Sequence, residues 1–279
     1  MTTTINTVEE HLKPQPATEP RWQGAQFLTQ VAVMTGRSLK ALKDPRMILM
    51  AMFQPLIMLT LFSQVFKSMT QTPAFQAQYP GVDYINFLLP AILMTTGVQA
   101  AMWSGGGLAN DLKNGVLNRF RAMPVSMLSV LIGRSLYDVV RNAIQLSVLA
   151  IAATVVLGYR GSLTGTVAAI ALSLFVGWGV SWLFLALATW LRNVEVMQMV
   201  GMMAIFPLMF ASSAYVPLDG LPGWLRVVAQ VNPLSYAVDA GRGLALGTAE
   251  LAPFLNAAGI AAAFAVIGMV FAARGIRKP

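Results

Sequence analysis

Residues able to carry chemistry are scarce in this chain. Its 279 residues hold no cysteine, one histidine and 11 carboxylates. His11 lies in a polar N-terminal stretch, so neither a thiolate nor a histidine cluster is available to hold a metal. No serine–histidine or paired-aspartate arrangement occurs within an apolar segment, which removes the intramembrane protease and lipid-modifying classes. Ser173, Ser181, Ser212 and Ser213 therefore read as helix-packing and hydrogen-bonding residues. No Gly-Lys dipeptide is present, so the Walker phosphate loop is missing. The stretch "WSGGGLAND" is glycine-rich but lacks the lysine, and suits close helix packing or a bend.

What remains is pairing between carboxylates and guanidinium groups. Asp138 has Arg134 at i−4 and Arg141 at i+3, which predicts a carboxylate held between two cations near one end of an apolar segment. Arg192 and Glu195 flank a short turn, and Asp239 and Arg242 stand one helical turn apart. Each set reads either as a structural ion pair or as a point where motion is transmitted. Apart from these, the apolar segments are almost empty of charge, which leaves an ion-coupled transporter without the buried relay it would need.

The elements that position these residues follow from composition. The chain is 56% hydrophobic and 11% charged, outside the range of soluble domains, and reads as an all-α integral membrane protein. Six segments, near 47–66, 85–109, 136–157, 164–191, 194–215 and 251–273, are each expected to cross about 30 Å of hydrocarbon. The net charge of +8 is dispersed between these segments, which favours membrane orientation over nucleic-acid binding. With both termini in the cytoplasm, only Lys67, Arg160, Arg226 and Arg242 of the 19 basic residues fall outside, a strong positive-inside bias.

Residues 1–23 form a polar tail without the basic-then-apolar pattern of a secretory signal, and are expected to stay cytoplasmic. Over residues 24–44, Phe27, Val31 and Met34 recur at helical spacing while Arg37, Lys40 and Lys43 line one flank. That pattern predicts an amphipathic helix in the cytoplasmic interface, basic flank toward lipid phosphates. The spans and loops of 24–279 make up the remainder as one transmembrane domain. Residues 216–250, broken by Pro217, Pro222 and Pro233, are expected to form short re-entrant or interfacial helices outside, with Trp224 and Tyr236 at headgroup level. The chain has 17 methionines; Met197, Met202, Met203 and Met209, with Phe206, are expected to line an adaptable apolar cavity, ordinary packing being the alternative.

The polar stretch "NDLKNGVLNRFRAMPVS", residues 110–126, falls in the first internal loop. As a helix it sets Leu112, Val116 and Phe120 on one face and Asn114, Asn118 and Arg121 on the other, with Pro124 ending it. It resembles a segment of ABC-2 type exporter permeases. "FPLMFASSAYVPLDGLPGWLRVVAQVNPLSYAVDAGRG", residues 206–243, is similar to the same family's fifth span and external segment. The likeness extends over nearly the whole chain and is nearest to the daunorubicin-resistance type of drug-efflux permease.

The resemblance implies the type V exporter fold, with six transmembrane helices, an N-terminal interfacial helix, a cytoplasmic coupling helix and short external helices. It implies that Asn114, Gly115, Leu117, Asn118, Phe120, Arg121 and Pro124 belong to the coupling element docking on a separate ATPase, present in two copies. ATP and magnesium would then sit on that partner, and this chain would carry no cofactor. A second permease, identical or paralogous, would complete a central route. The external helices carrying Trp224, Tyr236, Asp239 and Arg242 would close it. The expected cargo is a lipophilic drug, antibiotic or lipid moved outward across the cytoplasmic membrane; export of a polysaccharide or glycolipid is the alternative.

Overall fold

The computed structural model describes residues 26–39, 45–116 and 125–276, all helix, turn or coil. The helices are α1 (Phe27–Leu39), α2 (Pro45–Val65), α3 (Pro73–Gln78), α4 (Tyr84–Lys113), α5 (Met127–Leu157), α6 (Leu163–Leu191), α7 (Val194–Phe210), α8 (Gly223–Val231), α9 (Pro233–Leu246) and α10 (Leu251–Gly275). Among the described residues, α4, α5, α6 and α10 are long and apolar enough to cross a membrane. The apolar stretches Leu49–Val65 and Val194–Phe210 are shorter, the latter about 25 Å long at 1.5 Å per residue.

α4, α6 and α10 run side by side in the same direction, with α6 in the middle, and α5 runs the opposite way. Their contact is close because it is made through glycine and serine. Gly177 of α6 lies against the Gly97 backbone of α4, and Ser173 Oγ donates to the Leu93 carbonyl at 2.7 Å. On the other side of α6, Gly179 abuts Ala261 and Gly268 of α10 abuts Trp182. Small residues at these crossings let dispersion act over whole helix faces, the main attraction available where lipid is as apolar as the side chains.

At one end of the bundle, the α1 end, lie α1, the end of α4, the start of α5 and the α6–α7 turn; α3, α8 and α9 occupy the other. Of the stripe Phe27, Val31 and Met34, Val31 is buried and Phe27 is exposed, because α1 lies along α5 and the side carrying Val31, Met34 and Thr35 is the one that packs on Gly133. The side chain of Arg37, and residues Lys40 and Lys43, lie outside the described residues.

Helix α5 begins at Met127 after Ser126, well before the expected start at residue 136. Arg134 is therefore inside one continuous helix with Asp138 and Arg141, and α4 supplies partners for the first two, Asp111 for Arg134 and Ser104 for Asp138. α7 stops at Phe210 rather than running to 215. The chain then turns, and the Asn232 side chain donates to the carbonyls of Leu208 at 2.7 Å and Ala211 at 2.6 Å, completing the α7 C-terminus while its Oδ1 accepts from Leu234 N at the start of α9. α9 is buried along much of its length, among α4, α6 and α10.

A proline in α2 has a distinct consequence. Pro55 has no N–H, so the carbonyl of Ala51, four residues earlier, loses its helical donor. Gln145 of α5 replaces it, its Nε2 donating to Ala51 O at 2.9 Å.

Candidate functional site

Three polar groupings interrupt the apolar bundle. The first is at the α1 end, around the connection expected to hold the coupling helix. α4 ends with Asn114 as its cap, and Gly115 adopts φ +68°, the left-handed region that a side chain disfavours. Leu117, Asn118, Phe120, Arg121 and Pro124 lie outside the described residues. Both flanks of the connection are tied down. Asp111 near the end of α4 pairs with Arg134 of α5, whose guanidinium runs over Gly107 where any Cβ would collide with it. Gln30 of α1 accepts from Ser126 N at 3.0 Å and from Ser129 Oγ at 3.1 Å. α1, the end of α4 and the start of α5 thus form one cross-linked unit.

The Asp111–Arg134 pair is part-exposed, at 35% and 22% of the side chains, so its stability contribution is small. Asp111→Asn is expected to cost only about 0.2–1 kcal/mol, read by thermal unfolding in detergent. Exchanging the two charges should recover most of the loss.

The second grouping corrects an expectation. Asp138 is not clasped by Arg134 and Arg141: Arg134 is engaged by Asp111, and Asp138 Oδ2 accepts from Ser104 Oγ of α4 at 2.5 Å. Sequence spacing along α5 identified neighbours on one helix, whereas the facing helix supplies the closer donor. Ser135, Asp138 and Asn142 share a seam with Ser181 of α6 around a cavity of about 10 Å³, the size of a single water site. Arg141 points to another side of α5, where its Nε is buried without a hydrogen-bond partner. Arg192 caps α6 with φ +49° and its Nε donates to Thr189 O at 3.3 Å. The Glu195 N–H is capped by Asn193 Oδ1 at 2.9 Å.

The third grouping centres on Arg242, which is only 2% exposed. Its Nε donates to Phe87 O at 3.2 Å, and its terminal nitrogens reach Asp239 Oδ1 at 3.2 Å, Ser213 O at 2.9 Å and Ala214 O at 3.4 Å. The guanidinium lies 3.6 Å from the Phe87 ring centroid, a cation–π geometry. Ser213 Oγ also donates to Asp239, at 2.7 Å. Burial raises the Asp239 carboxyl above the usual carboxylate range, with Arg242 and then Ser213 pulling it back. Arg242 therefore joins α9, the N-terminal turn of α4 and the segment after α7. Tyr236, whose hydroxyl donates to Gln230 O at 2.8 Å, and Trp224, 73% exposed on α8, are not part of this hub.

The methionine expectation is also corrected. Met197 and Met209 are buried, with Met209 Sδ accepting from Gln99 Nε2 at 3.1 Å, while Met202 and Met203 are exposed and Phe206 is half-buried. An apolar cavity of about 230 Å³ among α4, α6, α7, α9 and α10 is lined instead by Ala204, Ile205 and Leu208 of α7, together with Val98, Phe184 and Phe264. Helical rotation turns Ile205 and Leu208 toward this cavity, leaves Ala204 at its exposed edge and turns Met202 and Met203 outward. A second cavity, of about 300 Å³, lies between α2, α4 and α5 and is lined by Arg141. Periodicity along α5 alone did not reveal it, since the Pro55 site and the crossing of α2 create the space.

Residues 29–246 match the model of the ABC-2 type transporter family. The chain is 31% identical over 216 residues to the daunorubicin resistance ABC transporter permease protein DrrB1 of Streptomyces coeruleorubidus, covering 76% of this chain and 74% of that one. It is 27% identical over 223 residues to the putative transport permease ycf38 of Porphyra purpurea, covering 79% and 75%. Over 279 residues it is 24% identical to the probable doxorubicin resistance ABC transporter permease protein DrrC of Mycobacterium tuberculosis, with 98% of each chain covered.

Proposed function

Starting from the fact that the chain belongs to the ABC-2 type transporter family, we propose that it is the membrane permease subunit of an ATP-driven exporter of lipophilic small molecules: drugs, antibiotics or lipids. A separate ATPase supplies the energy, in two copies beneath a pair of permeases. The names of the relatives in Streptomyces and Mycobacterium support the cargo class and outward transport, and the distribution of basic residues supports cytoplasmic termini.

The observation that carries the reading is the cross-linked unit at the α1 end. A push on the connection between α4 and α5 is received by two helices already joined through Asp111–Arg134, with α1 attached through Gln30. Such a unit moves as a body, so displacement at the docking loop is transmitted along α4 into its close contact with α6. At the far end, α9 and the Arg242 hub rest on the first turn of α4, and α4 thereby connects the coupling element with the external gate. Rigid transmission requires little chemistry in this chain; its residues hold helices in register while ATP closes the partner subunits.

The test is reconstitution of the chain with its ATPase. Leu117→Asp and Phe120→Asp are each expected to reduce ATP-dependent transport at least tenfold while expression and assembly persist. Unchanged transport in both would place the docking contact elsewhere.

A further inference from the structure

The cavity of about 300 Å³ between α2, α4 and α5 has a composition that the transmission role does not use. Its lining combines Arg141, Thr96, Gln54, Gln99 and Gln145 with the apolar Met50, Pro55 and Trp103. Thr96, Pro55 and Gln145 are buried at its base, whereas Met50 and Trp103 are exposed at 82% and 54%, so the mouth opens on the outer surface of the bundle. Arg141 is the cation of the site, and its Nε is buried without a hydrogen-bond partner. The nearest carboxylate along α5, Asp138, is engaged by Ser104.

Arg141 lies about 24 Å from the end of α5 at Leu157, at 1.5 Å per residue, so on the permease reading it is within the hydrocarbon, toward the α1 side. A guanidinium there costs several kcal/mol unless a counter-charge and hydrogen bonds offset its desolvation. Intramembrane arginines face cavities or pathways for this reason. The Thr96 hydroxyl and the Gln54 amide add neutral donors beside the cation, Gln99 and Gln145 each already giving an amide proton to Met209 Sδ and the Ala51 carbonyl, while Trp103 and Met50 offer an apolar rim. Donors around a cation at the base and apolar surface at a mouth facing lipid match one ligand chemistry: an acidic head group on a hydrophobic body.

We propose that this cavity seats the phosphate or carboxylate head group of an anionic amphiphile, with Arg141 as its counter-ion. The head group enters from the membrane past Trp103 and Met50, and its hydrophobic part stays against the outer faces of α2 and α4. The inference depends on the permease reading only for the membrane setting of the cavity. A cationic amphiphile of the same size is rejected by the charge on Arg141.

The experiment reads binding rather than transport, so its failure and a failure of the coupling test are separable. Full-length protein in uncharged detergent is equilibrated with radiolabelled dodecyl phosphate. Saturable binding of one molecule per chain is expected, uncompeted by dodecyltrimethylammonium, weakened at least tenfold by Arg141→Gln and largely retained by Arg141→Lys. Gln54→Trp, at an exposed mouth position, should block binding to a similar extent without touching the charge, and serves if Arg141→Gln does not fold. Competition by phosphatidylglycerol but not phosphatidylcholine assigns the head group to a bilayer lipid; dodecyl phosphate binding that phosphatidylglycerol does not displace assigns it to single-chain cargo. No saturable binding, equal binding of the cationic probe, or undiminished binding by Arg141→Gln or Gln54→Trp overturns the proposal.

Discussion

Replacing Arg242 with leucine is expected to destabilise the protein by about 3–5 kcal/mol, the range for removing one member of a buried charge pair. Four acceptors depend on this side chain: the carbonyls of Phe87, Ser213 and Ala214 and the carboxylate of Asp239. Leucine fills part of the volume but leaves the three carbonyls among buried residues without this donor, while Asp239, whose side chain is 34% exposed, keeps only Ser213 Oγ, and the cost of an unmet buried acceptor exceeds the net value of the hydrogen bond it made. Lysine preserves the charge but lacks the planar fork that addresses several acceptors at once, so Arg242→Lys should recover only a minor share. Thermal unfolding in detergent checks this, with an apparent melting temperature lower by roughly 10 °C for Arg242→Leu. Adding Asp239→Asn to Arg242→Leu should cost less than the sum of the single changes, because the second removes a charge the first had stranded. A strictly additive double variant would mean that the two side chains do not act as a pair.

Gly177→Val should be nearly as damaging, for a steric reason. A Cβ at this position would stand 2.5 Å from the carbonyl oxygen of Gly97 and 2.9 Å from its carbon. The opposing atoms are backbone, so no rotamer change on α4 relieves the clash and the two helices must separate. Overpacking of a tight contact costs about 1–3 kcal/mol, and here separation would also pull Ser173 Oγ from the Leu93 carbonyl, now 2.7 Å away. Gly259→Ala provides the control, since nothing lies within 4 Å of its added Cβ. That variant should be neutral or gain up to about 1 kcal/mol from helix propensity. Thermal unfolding separates the two, and equal stability of Gly177→Val and Gly259→Ala would show that the α4–α6 crossing is looser than its geometry indicates.

Both effects arise at α4, which links the ends of the bundle. At the α1 end it carries Asp111, in the middle Gly97 and Ser104, and at its first turn Phe87, whose carbonyl and ring both meet Arg242. A helix held at three depths by three kinds of contact suits the transfer of motion with little bending. Within α5, Arg134 and Asp138 tie that helix to α4 through Asp111 and Ser104, while Arg141 faces the cavity beneath Pro55.

Sequence alone determined the all-helical, membrane-embedded class, because hydrophobicity sustained over some twenty residues at 1.5 Å each requires a lipid-spanning helix and leaves the backbone self-satisfied. It also determined the family, through the motifs of residues 110–126 and 206–243, and the pairing of Asp239 with Arg242, since i and i+3 are adjacent on any helix. Partners across helices were another matter. The choice of Ser104 for Asp138 and of Asp111 for Arg134 depends on how α4 and α5 are rotated against each other, and apolar sequence with little amphipathicity leaves that rotation undetermined. The same rotation put Ala204, Ile205 and Leu208 at an apolar cavity and turned Met202 and Met203 outward. Arg242 was legible as a cation in a helix rich in small residues, but its four acceptors come from three separate stretches of chain. Only tertiary structure could bring them together, because hydrogen bonds between helices depend on three-dimensional packing that no one-dimensional period encodes.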